Sequence, residues 1–198
     1  MKSNLILWML FLSGFLWSNA QTTSLKYDII VGGKTLGIVK ATKTEKDAKI
    51  IYTSDSDTEV HILGTIKIKT RMTTIFENGI LTESTYKYYK NDNLKEKATL
   101  TQTSNGYSFV HNDKTSTISE PIKCSTIMLY FYIPKEGEKV FEEVEGYFKT
   151  IKKEKIDNYL LIDPKSSHKD IYNYIDGNLY YNLVNNTLVD FEMVLKKD

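Results

Sequence analysis

Three histidines, His61, His111 and His168, lie far apart in the 198-residue sequence, and none sits in a His-x-x-x-His or His-Glu-x-x-His setting. Zinc needs three or four convergent ligands. His111-Asn112-Asp113 and His168-Lys169-Asp170 each place two potential ligands two residues apart, but both fall at expected turns and read as solvated polar turns. Asp55-Ser56-Asp57-Thr58-Glu59 has three acids at calcium-loop spacing. It lacks the loop's glycine at the sixth position and glutamate at the twelfth, so a polar hairpin tip is expected. Ser166 and Lys169 form a Ser-x-x-Lys pair in a turn after Asp163-Pro164, without the rigid mount a nucleophile needs. Cys124, flanked by Ile122, Ile127 and Met128, reads as a buried inert thiol. Glycine-rich phosphate loops are absent from the sequence. The expectation is no catalytic residue, no metal and no cofactor.

The aromatic residues are in surplus. Tyr86, Tyr88 and Tyr89 cluster in one segment, Tyr130, Phe131 and Tyr132 in a second, and Tyr172, Tyr174, Tyr180 and Tyr181 in a third. Adjacent aromatics on a strand face both sides of a sheet, so one core cannot absorb them all. Tyrosine joins an apolar ring to a hydrogen-bonding tip, which suits a pocket or contact surface. Tyr86, Tyr88, Tyr130, Phe131, Tyr132 and Tyr180 are the candidate ligand-binding residues.

Strands must position them. From Val60 the even residues Val60, Ile62, Ile66, Ile68, Met72 and Phe76 alternate with His61, Lys67, Lys69 and Arg71. Period two gives a dry face and a wet, basic face. The run is long for one strand, so Gly64 is expected to bend it. Gly32-Gly33, Asn78-Gly79, Asn105-Gly106 and Asp176-Gly177 supply residues that tolerate the positive φ of tight hairpins. At the C-terminus Val189, Phe191, Met193 and Leu195 point one way, Asp190 and Glu192 the other. Residues 125–133 are nearly continuous apolar up to Pro134 and fit either a short helix capped by Ser125 or a buried strand. Val140, Val144 and Ile151 follow helical spacing, predicting a helix over about 138–146 and a strand over 147–153. The fold class is mainly β: a strongly curved antiparallel sheet or partly open barrel of about ten strands, with one or two short helices around 125–146.

Residues 1–20 read as a secretory leader: Lys2, an apolar run from Leu5 to Leu16, and small residues Ser18 and Ala20 before Gln21. The run is too short to span a bilayer, so cleavage without a transmembrane anchor is expected. Residues 21–198 then form one β-rich domain, since no Pro/Gly/Ser-rich linker divides them. Charge is balanced, 26 Lys+Arg against 25 Asp+Glu, which gives no bulk pull toward nucleic acid. One cysteine forms no intramolecular disulfide, so the core must hold the fold. The location expected is the periplasm or the exterior. Asn185-Asn186-Thr187 matches a glycosylation acceptor, a signal without weight in most bacteria.

Tyr27-Asp28-Ile29-Ile30-Val31-Gly32-Gly33, with Gly37 following, resembles the mature N-terminus of a group of exported β-rich proteins of Gram-negative bacteria, a domain of unknown function. Asn78-Gly79-Ile80-Leu81, Leu129-Tyr130-Phe131 with Pro134, Glu143 before Gly146, and Ile171-Tyr172-Asn173-Tyr174 with Asp176-Gly177 continue the resemblance. It implies no activity. The curved sheet with a helix beside its concave face is also similar to periplasmic lipoprotein-carrier domains, a fold analogy that transfers no residues. The functional expectation is an exported non-catalytic binding module for a lipid-like or other apolar ligand in the sheet concavity. The alternatives are a structural or interaction subunit of an envelope assembly, partnered by an envelope protein, and a hydrolase whose site is dispersed in sequence.

Overall fold

The computed structural model describes residues 20–61, 65–185 and 190–196. The leader before Ala20, the bend expected at Gly64, Asn186 and Thr187 of the glycosylation acceptor, and Val189 lie outside the described residues. Fourteen strands follow in order. β1 (Gln21–Val31), β2 (Lys34–Lys46), β3 (Lys49–His61), β4 (Thr65–Glu77) and β5 (Ile80–Lys90) are long. β6 (Asn93–Thr103), β7 (Gly106–His111) and β8 (Lys114–Ile118) end the first half. The second half is β9 (Lys139–Glu142), β10 (Tyr147–Lys155), β11 (Asn158–Ile162), β12 (Lys169–Ile175), β13 (Asn178–Val184) and β14 (Phe191–Leu195). They form one antiparallel sheet in the order β8-β7-β6-β5-β4-β3-β2-β1-β14-β13-β12-β11-β10-β9.

Nearly every neighbour in the sheet is a neighbour in sequence, because short connections, most of them two-residue turns, join the strands. Gly33, Gly79 and Gly177 take positive φ as expected. Asp47, Asn91, Asn112 and Asp157 do the same without glycine, since short polar side chains tolerate the left-handed region. These account for strands beyond the ten expected. The alternating run from Val60 is not one strand: β3 ends at His61 and β4 begins at Thr65, with His61 paired to Thr65. Alternation survives where two antiparallel strands share a dry face, so periodicity alone concealed the break between them. Asp55, Asp57 and Glu59 lie within β3 rather than at a hairpin tip. Arg71 of β4 pairs with Asp57 at 3.1 Å and Asp55 at 3.5 Å, and Lys69 with Asp92 at 2.6 Å. The basic stripe is thus neutralised on the outer face.

The sheet curls until its ends approach without joining. The rings of Phe109 (β7) and Phe141 (β9) meet edge to face, centroids 6.3 Å apart. The gap is bridged by the strap 119–138. Its backbone accepts from Leu81 N–H at Ile122 and from Phe141 N–H at Cys124, both 2.9 Å. The apolar run 125–133 contains a 3-10 helix, Thr126–Tyr130, which packs against β3, β9 and β13 across the interior. Two apolar clusters flank it: Tyr27, Val39, Cys124, Leu129, Tyr159 and Leu161 in one, and Tyr52, Phe76, Leu100, Phe109, Ile127 and Phe141 in the other. Cys124 is buried, and burial pushes its thiol far above the reactive range.

The helix expected over 138–146 is not formed. Residues 139–142 are strand β9, and the chain reverses through a tight turn into β10, which begins at Tyr147 as expected. Gly146 decides this. It adopts φ +70°, and a Cβ there would lie 2.3 Å from the Phe109 ring. Gly177, at φ +83°, has open space around it. Gly146→Ala is therefore expected to cost about 3 kcal/mol, against about 1 kcal/mol for Gly177→Ala. Equal shifts in the two thermal melts would contradict this packing.

Candidate functional site

The side chains that face inward follow from register. Tyr86 pairs with Met72 on one side and with Ala98 on the other, and Ala98 pairs with His111, so all four share the concave face. Tyr88 lies between Thr70 and Glu96 on the same face. Across the gap, Glu142 pairs with Tyr147 in register, and Val140 with Lys149. Leu161 pairs with Asp170. Residues remote in sequence thus meet at one end of the interior.

Their geometry is that of a half-buried polar arc. Lys149 Nζ lies 2.9 Å from Glu142 Oε2, and each side chain is only 13% exposed. Burial lowers the Lys149 proton affinity, but the Glu142 carboxylate outweighs it and holds the ammonium charged. Asp170 is raised to about 6, mainly by burial, although it accepts the Asn185 N–H at 2.9 Å. Tyr147 donates to Asp163 Oδ2 at 2.6 Å, and the Lys165 ammonium stands 3.6 Å from the Tyr147 ring centre. Burial, then the charge of Glu96, raises the Tyr86 hydroxyl well above its ordinary value. His111 Nε2 lies 2.6 Å from Glu96 Oε1. Among the described residues no serine, threonine or cysteine is hydrogen-bonded to His111. No group of three or more metal-ligating side chains occurs among the described residues.

The floor of this end is the strap, held by Glu143. Its carboxylate is buried and accepts from Thr126 N–H (3.1 Å), Thr126 Oγ1 (2.5 Å) and Ile127 N–H (3.3 Å). Ser125 stands before the helix as expected but makes no side-chain cap; Glu143 performs that task from another segment. Burial, then the neighbouring Glu142, pushes the Glu143 pKa up to about 7.

Several tyrosines turn out to hold the strap. Tyr107 accepts the Ile122 N–H at 3.1 Å, and Tyr174 donates to the Leu129 carbonyl at 2.9 Å. Of the candidate residues, Tyr86 and Tyr88 line the concave face. Tyr130 joins the strap to it, with its ring 5.3 Å from Tyr27 and its hydroxyl 3.7 Å from Met193 Sδ. Phe131 packs 6.0 Å from Tyr52. Tyr132 donates to Glu138, and burial and Glu138 raise its pKa to about 12. Tyr180 is the extra residue of the bulge between β12 and β13. Asp170, expected in a solvated turn, is instead buried within β12. Sequence reasoning missed Glu142, Glu143, Lys149 and Asp170. Two open clefts of about 260 and 440 Å³ lie elsewhere, lined by Leu36, Asp57 and Ile68 and by Thr44, Asp47 and Ile51. Neither is lined by a candidate aromatic.

No helix among the described residues is long and apolar enough to cross a membrane. No curated protein matches the chain. A β-barrel-like protein of domain of unknown function DUF1849 from Brucella abortus is similar in structure, with TM-score 0.58 at 10% identity, covering 88% of this chain and 95% of that one. A DUF1089 family protein from Pseudomonas aeruginosa gives TM-score 0.42 at 11% identity, covering 83% and 90%. The first likeness supports the curled-sheet fold. The family model for a domain of unknown function, DUF6134, matches residues 27–196.

Proposed function

Since the chain belongs to the DUF6134 family, for which no activity is described, we propose that it is an exported, non-catalytic binding module. The apolar part of an amphiphilic ligand rests against the concave face beside Tyr86, Tyr88 and Tyr130, and its polar end meets the Glu142–Lys149 pair. The observation that carries this reading is the placement of that ion pair, which lies on the inner face of the sheet at 13% exposure. Charges are costly to hold there unless they are paired, and structural pairing is served more cheaply on the outer face. Residues 1–20 deliver the protein to the periplasm or beyond.

The fluorescent apolar probe N-phenylnaphthylamine tests the site. Binding with a blue-shifted emission is expected, weakened about tenfold in Tyr86→Ala, a loss on the order of 1.4 kcal/mol. Tyr180→Ala, at the β12–β13 bulge, should leave it unchanged. Equal effects of the two variants, or no binding, would remove this reading.

A further inference from the structure

We propose that the 3-10 helix Thr126–Tyr130 is a displaceable gate, which withdraws from the concave face as an amphiphile enters. This rests on the concave-face reading and concerns how that site is reached. The interior beside Tyr86 is filled by the strap's own side chains. Ile127 and Leu129 are buried, and Met128, Tyr130 and Phe131 pack against both apolar clusters. Tyr86 and Met72 of the concave face pack against the cluster that holds Ile127. Helix and ligand therefore compete for one surface.

The strap is tied differently along its length. On one side of the helix Phe141 N–H donates to the Cys124 carbonyl at 2.9 Å, and Ser125 bridges Phe141. On the other side Gly137 N–H donates to the Ile151 carbonyl, also at 2.9 Å. Between these anchors, among the described residues, no backbone group of residues 127–133 bonds the backbone of a strand. Side chains hold that stretch instead. Glu143 accepts from Thr126 and Ile127, and Tyr174 donates to the Leu129 carbonyl. Loss of a few side-chain contacts thus frees the helix while both anchors stay paired.

Three features favour the exchange. A 3-10 helix has poorer hydrogen-bond geometry than an α-helix, and this one is five residues long. Ser125 Oγ is shielded from solvent without a hydrogen-bond partner, and buried polar atoms left unpaired are uncommon. Glu143 is a carboxyl buried against the helix. Both polar groups gain water when the helix lifts. The apolar part of the amphiphile then replaces the contacts that Ile127 and Leu129 give up, so ligand binding selects the open position.

Cys124, the single cysteine, reports on the gate because it is buried in the cluster that holds Leu129. Its alkylation by N-ethylmaleimide in the full chain is followed by mass spectrometry, with and without N-phenylnaphthylamine. The probe is expected to raise the rate on the order of tenfold as Leu129 withdraws. Tyr174→Phe unties the Leu129 carbonyl and should bind the probe about threefold more tightly, since less binding energy goes into opening. Gly177→Ala, which lowers stability at an open turn, should leave the affinity unchanged. Probe binding with an unchanged or slower rate at Cys124, or Tyr174→Phe binding no more tightly than the wild type, would overturn the gate and leave the concave-face reading standing. No binding by the wild type would remove that reading and the gate with it.

Discussion

Replacing Glu143 with leucine is expected to lower stability by about 4 kcal/mol, because two backbone N–H groups and the Thr126 hydroxyl lose their acceptor in a buried site. The residue joins the turn after β9 to the helix that crosses the interior. Glutamine has the opposite value as a probe. It keeps an oxygen for Thr126 and removes the charge, so Glu143→Gln should melt near the wild type at neutral pH.

The same residue sets a pH dependence. Its pKa rises from 4.5 to about 7 on folding, so between those values the folded chain binds more protons than the unfolded one. Stability is therefore fully present below about pH 4.5 and falls, by on the order of 3 kcal/mol, as pH rises through 7. Asp170, raised from 3.8 to about 6, acts in the same sense. Denaturant titrations from pH 4.5 to 8 should show this decline, and Glu143→Gln should flatten most of it. A wild type that gains stability over that range would contradict the buried placement of both carboxyls.

Lys149→Met carries the second large effect. It leaves Glu142 charged, half-buried and facing Asp170 and Asp163, and should cost about 3–5 kcal/mol. Adding Glu142→Gln removes the orphaned charge, so the double variant should recover most of the loss. A double-mutant cycle by chemical denaturation reads this coupling directly. Additive effects of the two substitutions would mean that the pair makes no contact in solution.

Much of the fold was legible because a strand repeats every two residues and a hairpin needs a particular φ. Gly32-Gly33, Asn78-Gly79 and Asp176-Gly177 marked turns that the structure shows. Asp47-Ala48 and Ile156-Asp157 did not, because aspartate alone at positive φ is a weak signal. The error at 138–146 has a physical source: Val140 and Val144 obey helical spacing by coincidence, while Gly146 is needed for a left-handed turn against Phe109. Within the candidate site, Tyr86, Tyr88 and Tyr130 were visible as aromatics in excess of a core. Glu142, Lys149 and Asp170 were not, since only register brings β9, β10 and β12 together at that end. Glu143 looked like one more solvated acid among Glu142 and Glu145, and nothing in the local sequence shows that Thr126 and Ile127 lie above it.

Native mass spectrometry of the protein purified from its own host's envelope tests the concave-face site most directly. The account predicts a mass above that of the polypeptide, from a co-purifying amphiphile, which Tyr86→Ala sheds. Polypeptide mass alone, in wild type and variant alike, would contradict it.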